Sequence, residues 1–180
     1  MVCGLVKRIS FKVMTVKEQQ EQSKLQPYAE ASRYMRNAEE ILQKTRKEDN
    51  FYLDRKYVRV TCGTAYLGVL EALDKWLQMK NVQDPPKKKR KSIEFYTANV
   101  ALLDGKLSSE LHSAYRLLHI EGYYEGMCVV KAIKAGFETA YKIIARIKPD
   151  VPEEELQQYL ATHQKKKSSL WRQLSSFLSF

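Results

Sequence analysis

Apolar residues recur every three or four positions along most of this chain, which is the period of an amphipathic helix. Tyr28, Ala31, Met35, Ala38 and Leu42 set the first stripe, widened by Tyr34 and Ile41. The stripe predicts a helix of about 20 residues opening at Pro27, because a fixed φ and a missing N–H suit a first helical turn. The polar run Lys47-Glu48-Asp49-Asn50 is expected to end it. A second helix is predicted from Asp54 to Met79. Val58, Cys62, Ala65, Val69, Ala72 and Trp76 form one of its faces, and Leu67, Leu70, Leu73 and Leu77 another. Two apolar faces imply a central helix covered on more than one side. Gly63 and Gly68 lie within it, each costing roughly 1 kcal/mol against alanine. Close approach of a neighbouring helix is the expected reason; a ligand against bare backbone is the alternative.

Asp84-Pro85-Pro86 stops any helix, and Ser92 can cap the next, with Glu94 in its positive first turn. Ile93, Tyr96, Val100 and Leu103 form that stripe. Asp104-Gly105 reads as a break or a kink, after which Leu107, Leu111, Ala114 and Leu118 continue to about Glu121 at helical spacing. "GYYEG", residues 122–126, punctuates the chain before the last long stripe: Met127, Val130, Ile133, Phe137, Tyr141 and Ile144. Lys131, Lys134, Glu138, Lys142 and Arg146 take its solvated side. Asp150-Val151-Pro152-Glu153 opens a short acidic helix. No stretch alternates as a strand does. The expected fold is an all-α antiparallel bundle of four or five main helices with a short C-terminal helix. Residues 26–150 form the bundle. Residues 1–25 are expected to be an extension without fixed structure, with Met14 an alternative start. Residues 151–180 form the short helix and a basic tail, in which Leu170, Trp171, Leu174, Phe177 and Leu178 share one helical face.

Composition supports this reading. With 180 residues, 44% hydrophobic and 29% charged, the chain can bury a core without staples. Its three cysteines, Cys3, Cys62 and Cys128, form no C-x-x-C pair. That points to a reducing compartment, the cytoplasm, and to no disulfide framework. The three histidines do not pair at ligand spacing, so neither a metal nor a cofactor is expected. No apolar run reaches the roughly 18 residues of a transmembrane helix.

The net charge of +10 invites a nucleic-acid reading, but its distribution weakens it. Residues 1–13 carry +3, residues 80–91 carry +5 and residues 162–180 carry +4, which leaves −2 for the rest. Affinity for nucleic acid comes mainly from neutralised phosphates, and a neutral body offers no extended surface for it. "DPPKKKRKS" could be a nuclear-import signal or a charged hinge between helices. Lys89, Arg90 and Lys91 within it are candidate anion contacts.

The best candidate for chemistry is "YRLLHIEGYYEG". Arg116, His119 and Tyr123 are spaced to share one side of a helix, with Tyr124 beside them. Histidine handles protons near neutral pH, arginine could hold an anion, and the tyrosines could stack. The plainer reading is a polar helix end with two tyrosines at the core rim. No phosphate loop, nucleophile elbow or metalloprotease helix occurs, so no catalytic residue is assigned.

"YAEASRYMRNAEEIL", "DRKYVRVTCGTAYLGVLEALDKWL", "KKRKSIEFY" and "LHIEGYYEG", in that order, resemble a bacterial family of small all-helical cytoplasmic proteins catalogued only as a domain of unknown function. The resemblance covers about residues 26–150. It implies the helical fold, and it implies that the basic run is a hinge, since a bacterium has no nucleus. More distantly, "GTAYLGVLEALDKWL" followed by a second long helix is similar to HEPN bundles, which bind nucleotides or RNA and in some members cleave RNA. Their catalytic Arg and His stand four to six residues apart, whereas Arg116 precedes His119 by three. The expected function is therefore a non-catalytic module for protein–protein contact or homo-oligomerisation. A nucleotide- or RNA-binding HEPN-like module is the alternative, and the tail is expected to order only against its own bundle, a partner or, as a weak contact, an anionic membrane surface.

Overall fold

The long helix predicted as central takes that place. In the computed structural model, which describes residues 16–86 and 91–162 with side chains from Leu25 onward, α2 spans Arg55–Met79. Asp54 caps it by accepting a hydrogen bond from the Lys56 N–H at 2.9 Å. Val58, Cys62, Ala65, Val69, Ala72, Leu73, Trp76 and Leu77 are buried along it. The second predicted face is less complete, because Leu67 remains 50% exposed.

α1 spans Val16–Leu42, so it opens well before Pro27, which lies inside the helix. This corrects the expectation that residues 1–25 lack structure: residues 16–25 are helical, and Leu25 is buried. Leu25, two residues before the proline, is buried, and such burial offsets the hydrogen bond the proline cannot give. α1 packs on α2 where Gly68 allows it, since a Cβ there would meet the Tyr34 Cβ at 3.0 Å and the Ala31 carbonyl at 3.1 Å. The fully buried Thr61 donates across this contact to the Ala38 carbonyl at 3.3 Å.

The polar run after α1 is a small hairpin, where no strand was expected. β1 (Lys47–Glu48) pairs antiparallel with β2 (Phe51–Tyr52) across Asp49, which holds φ at 50°. Asp and Asn tolerate that left-handed backbone better than other residues. The hairpin is tied down by Tyr52 N–H to the Cys128 carbonyl and Val130 N–H to the Asn50 carbonyl, both 2.9 Å.

α3 spans Ile93–Leu103 and α4 spans Gly105–Ala114. Asp104 between them is a full break, with φ −155° and ψ 100°. It caps α4 by accepting from the Leu107 N–H at 2.8 Å and accepts from Arg146 Nη1 at 2.7 Å. A π-helix, Tyr115–Glu125, continues α4, and α5 spans Val130–Ala145. Residues 153–162 form a last helical stretch with Leu156 buried. The fold is an all-α helical bundle in which α2 touches α1, α3, the π-helix and α5. The apolar tail from Leu170 to Leu178, and Lys89 and Arg90, lie outside the described residues.

Candidate functional site

"GYYEG" does not end a helix at Gly122. Backbone bonding of the i→i+5 type runs from Tyr115 to Glu125, and the chain turns only at Gly126, with φ 70°. Gly122 is buried against α2, where a Cβ would stand 2.5 Å from Cys62 Sγ. The wider turn also resets which side chains meet, because residues four and five apart now align.

Arg116, His119 and Tyr123 therefore do not share one side, as α-helical spacing suggested. Arg116 pairs with Glu121, five residues on, at 2.7 Å and is largely exposed. His119 instead lies among tyrosines. Its ring centroid is 4.7 Å from Tyr66, 5.2 Å from Tyr115, 5.0 Å from Tyr124 and 6.0 Å from Tyr123, whose plane is within 17° of its own. Burial pushes the His119 pKa down, which favours the neutral ring. Tyr66 is buried, and its phenol is raised first by that burial and then by Tyr115. Tyr123 lies over Gly63, so that glycine admits a ring rather than a helix. Tyr123 and Tyr124 remain 43% and 61% exposed. Arg59 donates to the Tyr124 carbonyl at 2.9 Å, and both Arg55 and Arg59 crowd Gly126. Sequence reasoning missed Tyr66, Tyr115, Arg55 and Arg59. Tyr66 and Arg59 stand seven apart on α2, a spacing that places them on one side.

Lys91 is not a free anion contact. It bridges Asp74 at 2.9 Å and Asp84 at 2.8 Å, and Tyr96 donates to the same Asp74 oxygen at 2.8 Å. Burial works against its ammonium, but the hydrogen bonds to Asp84 and Asp74 outweigh it and raise the pKa. This cluster fastens the start of α3 to α2.

Two further surfaces stand out. A groove of about 760 Å³ runs between the end of α1, the hairpin and α5, floored by Leu42, Tyr52, Ile133 and Phe137. At its rim Tyr141, half exposed although it lies on the predicted stripe, donates to Glu39 at 2.6 Å. The other surface is α3. Its sequence IEFYTANVALL contains only Glu94, Thr97 and Asn99 as polar residues, yet only Tyr96 and Val100 are buried. Leu102 is 87% exposed, more than any other large apolar side chain described. Ser92 sits at the N-cap without bonding a backbone N–H.

Among the described residues, no group of three or more His, Cys, Asp or Glu could hold a metal ion, and no helix is long and apolar enough to cross a membrane. A family model described as Domain of unknown function (DUF5618) matches residues 26–149. A solved structure, a protein of unknown function from Dyadobacter fermentans, is 36% identical with a TM-score of 0.60. The match covers 69% of this chain and 94% of that one. No curated protein matches the chain. Neither the family nor the solved structure carries a HEPN assignment.

Proposed function

Since the chain belongs to the DUF5618 family, whose description names no activity, we propose from its own surface that it is a non-catalytic cytoplasmic module that binds protein. The observation that carries this is α3, an almost wholly apolar helix that leaves Leu102 in water. Exposed apolar surface of this kind marks a contact site. Groups that could act on a substrate are engaged elsewhere: Arg116 with Glu121, Lys91 with two aspartates, and His119 among rings. The unpaired Cys62 and Cys128 suit a reducing compartment.

A photoreactive amino acid placed at position 102 is expected to give one dominant protein adduct in native cells. The same group at Lys131, exposed on α5, is expected to give none. Equal, scattered labelling at both positions would defeat the reading.

The tyrosine pair supports a second reading. Tyr123 and Tyr124 expose their rings beside Arg59, a combination that stacks unpaired bases at about 1–3 kcal/mol each. If it operates, an oligoribonucleotide titrated at low salt binds, and Tyr124→Ala weakens it roughly tenfold. Binding that is absent, or unchanged in the variant, removes this reading.

A further inference from the structure

We propose that α3 is the contact face of a symmetric homodimer, lying antiparallel against α3 of a second copy. This rests on the reading that α3 docks a protein, and it names that protein.

The face begins with spacing. Glu94, Ala98, Ala101 and Leu102 stand at i, i+4, i+7 and i+8, so they share one side of the helix, and all four are exposed. Two alanines let another helix come close, and Leu102 beside them is a projecting knob. The polar residues of α3 leave little to desolvate. Thr97 Oγ1 donates to the Ile93 carbonyl at 3.0 Å, and Asn99 Nδ2 donates to the Phe95 carbonyl at 2.7 Å. Both groups are satisfied within their own helix, so covering them costs little.

Charge selects the partner and the direction. Glu94 lies in the first turn of α3, and Lys106 lies just past its other end. Both are exposed, and neither is in an ion pair among the described residues. In an antiparallel pairing, Glu94 of each copy faces Lys106 of the other, so the contact forms twice about the two-fold axis. A parallel pairing would set like charges together. The face thus complements itself in one orientation. The helix is only about 16 Å long at 1.5 Å per residue, so the contact is at the small end of specific interfaces and association belongs in the micromolar range.

Sedimentation of the full chain over a concentration series reads this directly. The wild type is expected to pass from monomer to dimer. Leu102→Lys should raise the dissociation constant about tenfold or more without changing the melting temperature of dilute monomer, since Leu102 makes little contact within it. Glu94→Lys and Lys106→Glu should each weaken the dimer. Mixed one to one, these two variants should form a heterodimer, because each acid then faces a base again. A wild type that stays monomeric throughout overturns the proposal, as does a dimer indifferent to all three substitutions. If the chain is monomeric while position 102 still labels one other protein, self-pairing falls and the docking reading stands. If position 102 labels nothing, both fall.

Discussion

Trp76→Ala is expected to lower stability by about 3–5 kcal/mol, the cost of truncating a buried aromatic residue. Trp76 is 6% exposed on the central helix, in the same buried cluster as Val69, Leu73 and Leu77. Lys80 places its ammonium 5.6 Å from the ring centroid, so a small cation–π contribution is lost as well. A domain of this size loses roughly 2–4 °C per kcal/mol, which predicts a melting point lower by about 6–20 °C. Total stability of a natural domain is only about 5–15 kcal/mol, so a large share disappears in one substitution. Thermal denaturation followed by circular dichroism checks this. An unchanged midpoint would show that the tryptophan packs on nothing, contrary to its burial.

Gly122→Ala adds a single methyl and is expected to be nearly as harmful. That methyl would stand 2.5 Å from Cys62 Sγ, 2.7 Å from Cys62 Cβ and 2.9 Å from the Leu117 carbonyl. None of these is the far end of a flexible side chain. Cys62 is fully buried on α2, where its thiol is pushed up to about 12 by burial and then by Cys128, so it has no solvent to swing into. Overpacking of this kind costs about 1–3 kcal/mol and occasionally more, and here the π-helix would have to move off α2. Cys62→Ala in the same chain should recover only part of the loss, because it removes the sulfur contact and leaves the Cβ contact. Urea titration of the single and double variants measures both steps. No loss at all would mean that the π-helix yields freely, and full recovery that the sulfur was the whole obstacle and the Cβ contact counts for nothing.

The same residues show what could be read from the sequence alone. α2 was legible because its two apolar faces repeat over many turns, and its cap, Asp54, is of the type that starts helices. Asp104 was legible as a break for the same reason. The start of α1 was not, because Pro27 suits a first turn so well that the helix before it went unseen. The hairpin at Asp49 was invisible: strands of two residues are too short to alternate. The tyrosine cluster was half legible. His119, Tyr123 and Tyr124 were picked out as a group, but a 3.6-residue template put Arg116 with them and left out Tyr115. Tyr115 stands four residues before His119, which ordinary helical spacing also aligns, so it was within reach of the sequence; the wider turn, which pairs Arg116 with Glu121 five residues on, was not. Periodicity also identifies apolar residues without saying which are covered. Leu67, Leu102 and Tyr141 all belong to apolar segments, and all are left at least partly in water.

α3 is fastened at its two ends and packs lightly between them. Lys91, Asp74 and Tyr96 hold its start; Asp104 and Arg146 hold its finish. Both clamps are charge pairs in contact and partly buried, where dissolved ions, which screen over about 8–10 Å, weaken attraction little. Moderate salt therefore leaves both ends held, and α3 comes away only when both clamps break. Local stability within a fold ranges from near zero to the global value according to how much each segment buries. The helix that leaves Leu102 in water is thus held at two points more than along its length, and it can open as a unit of its own before the core of α2 does.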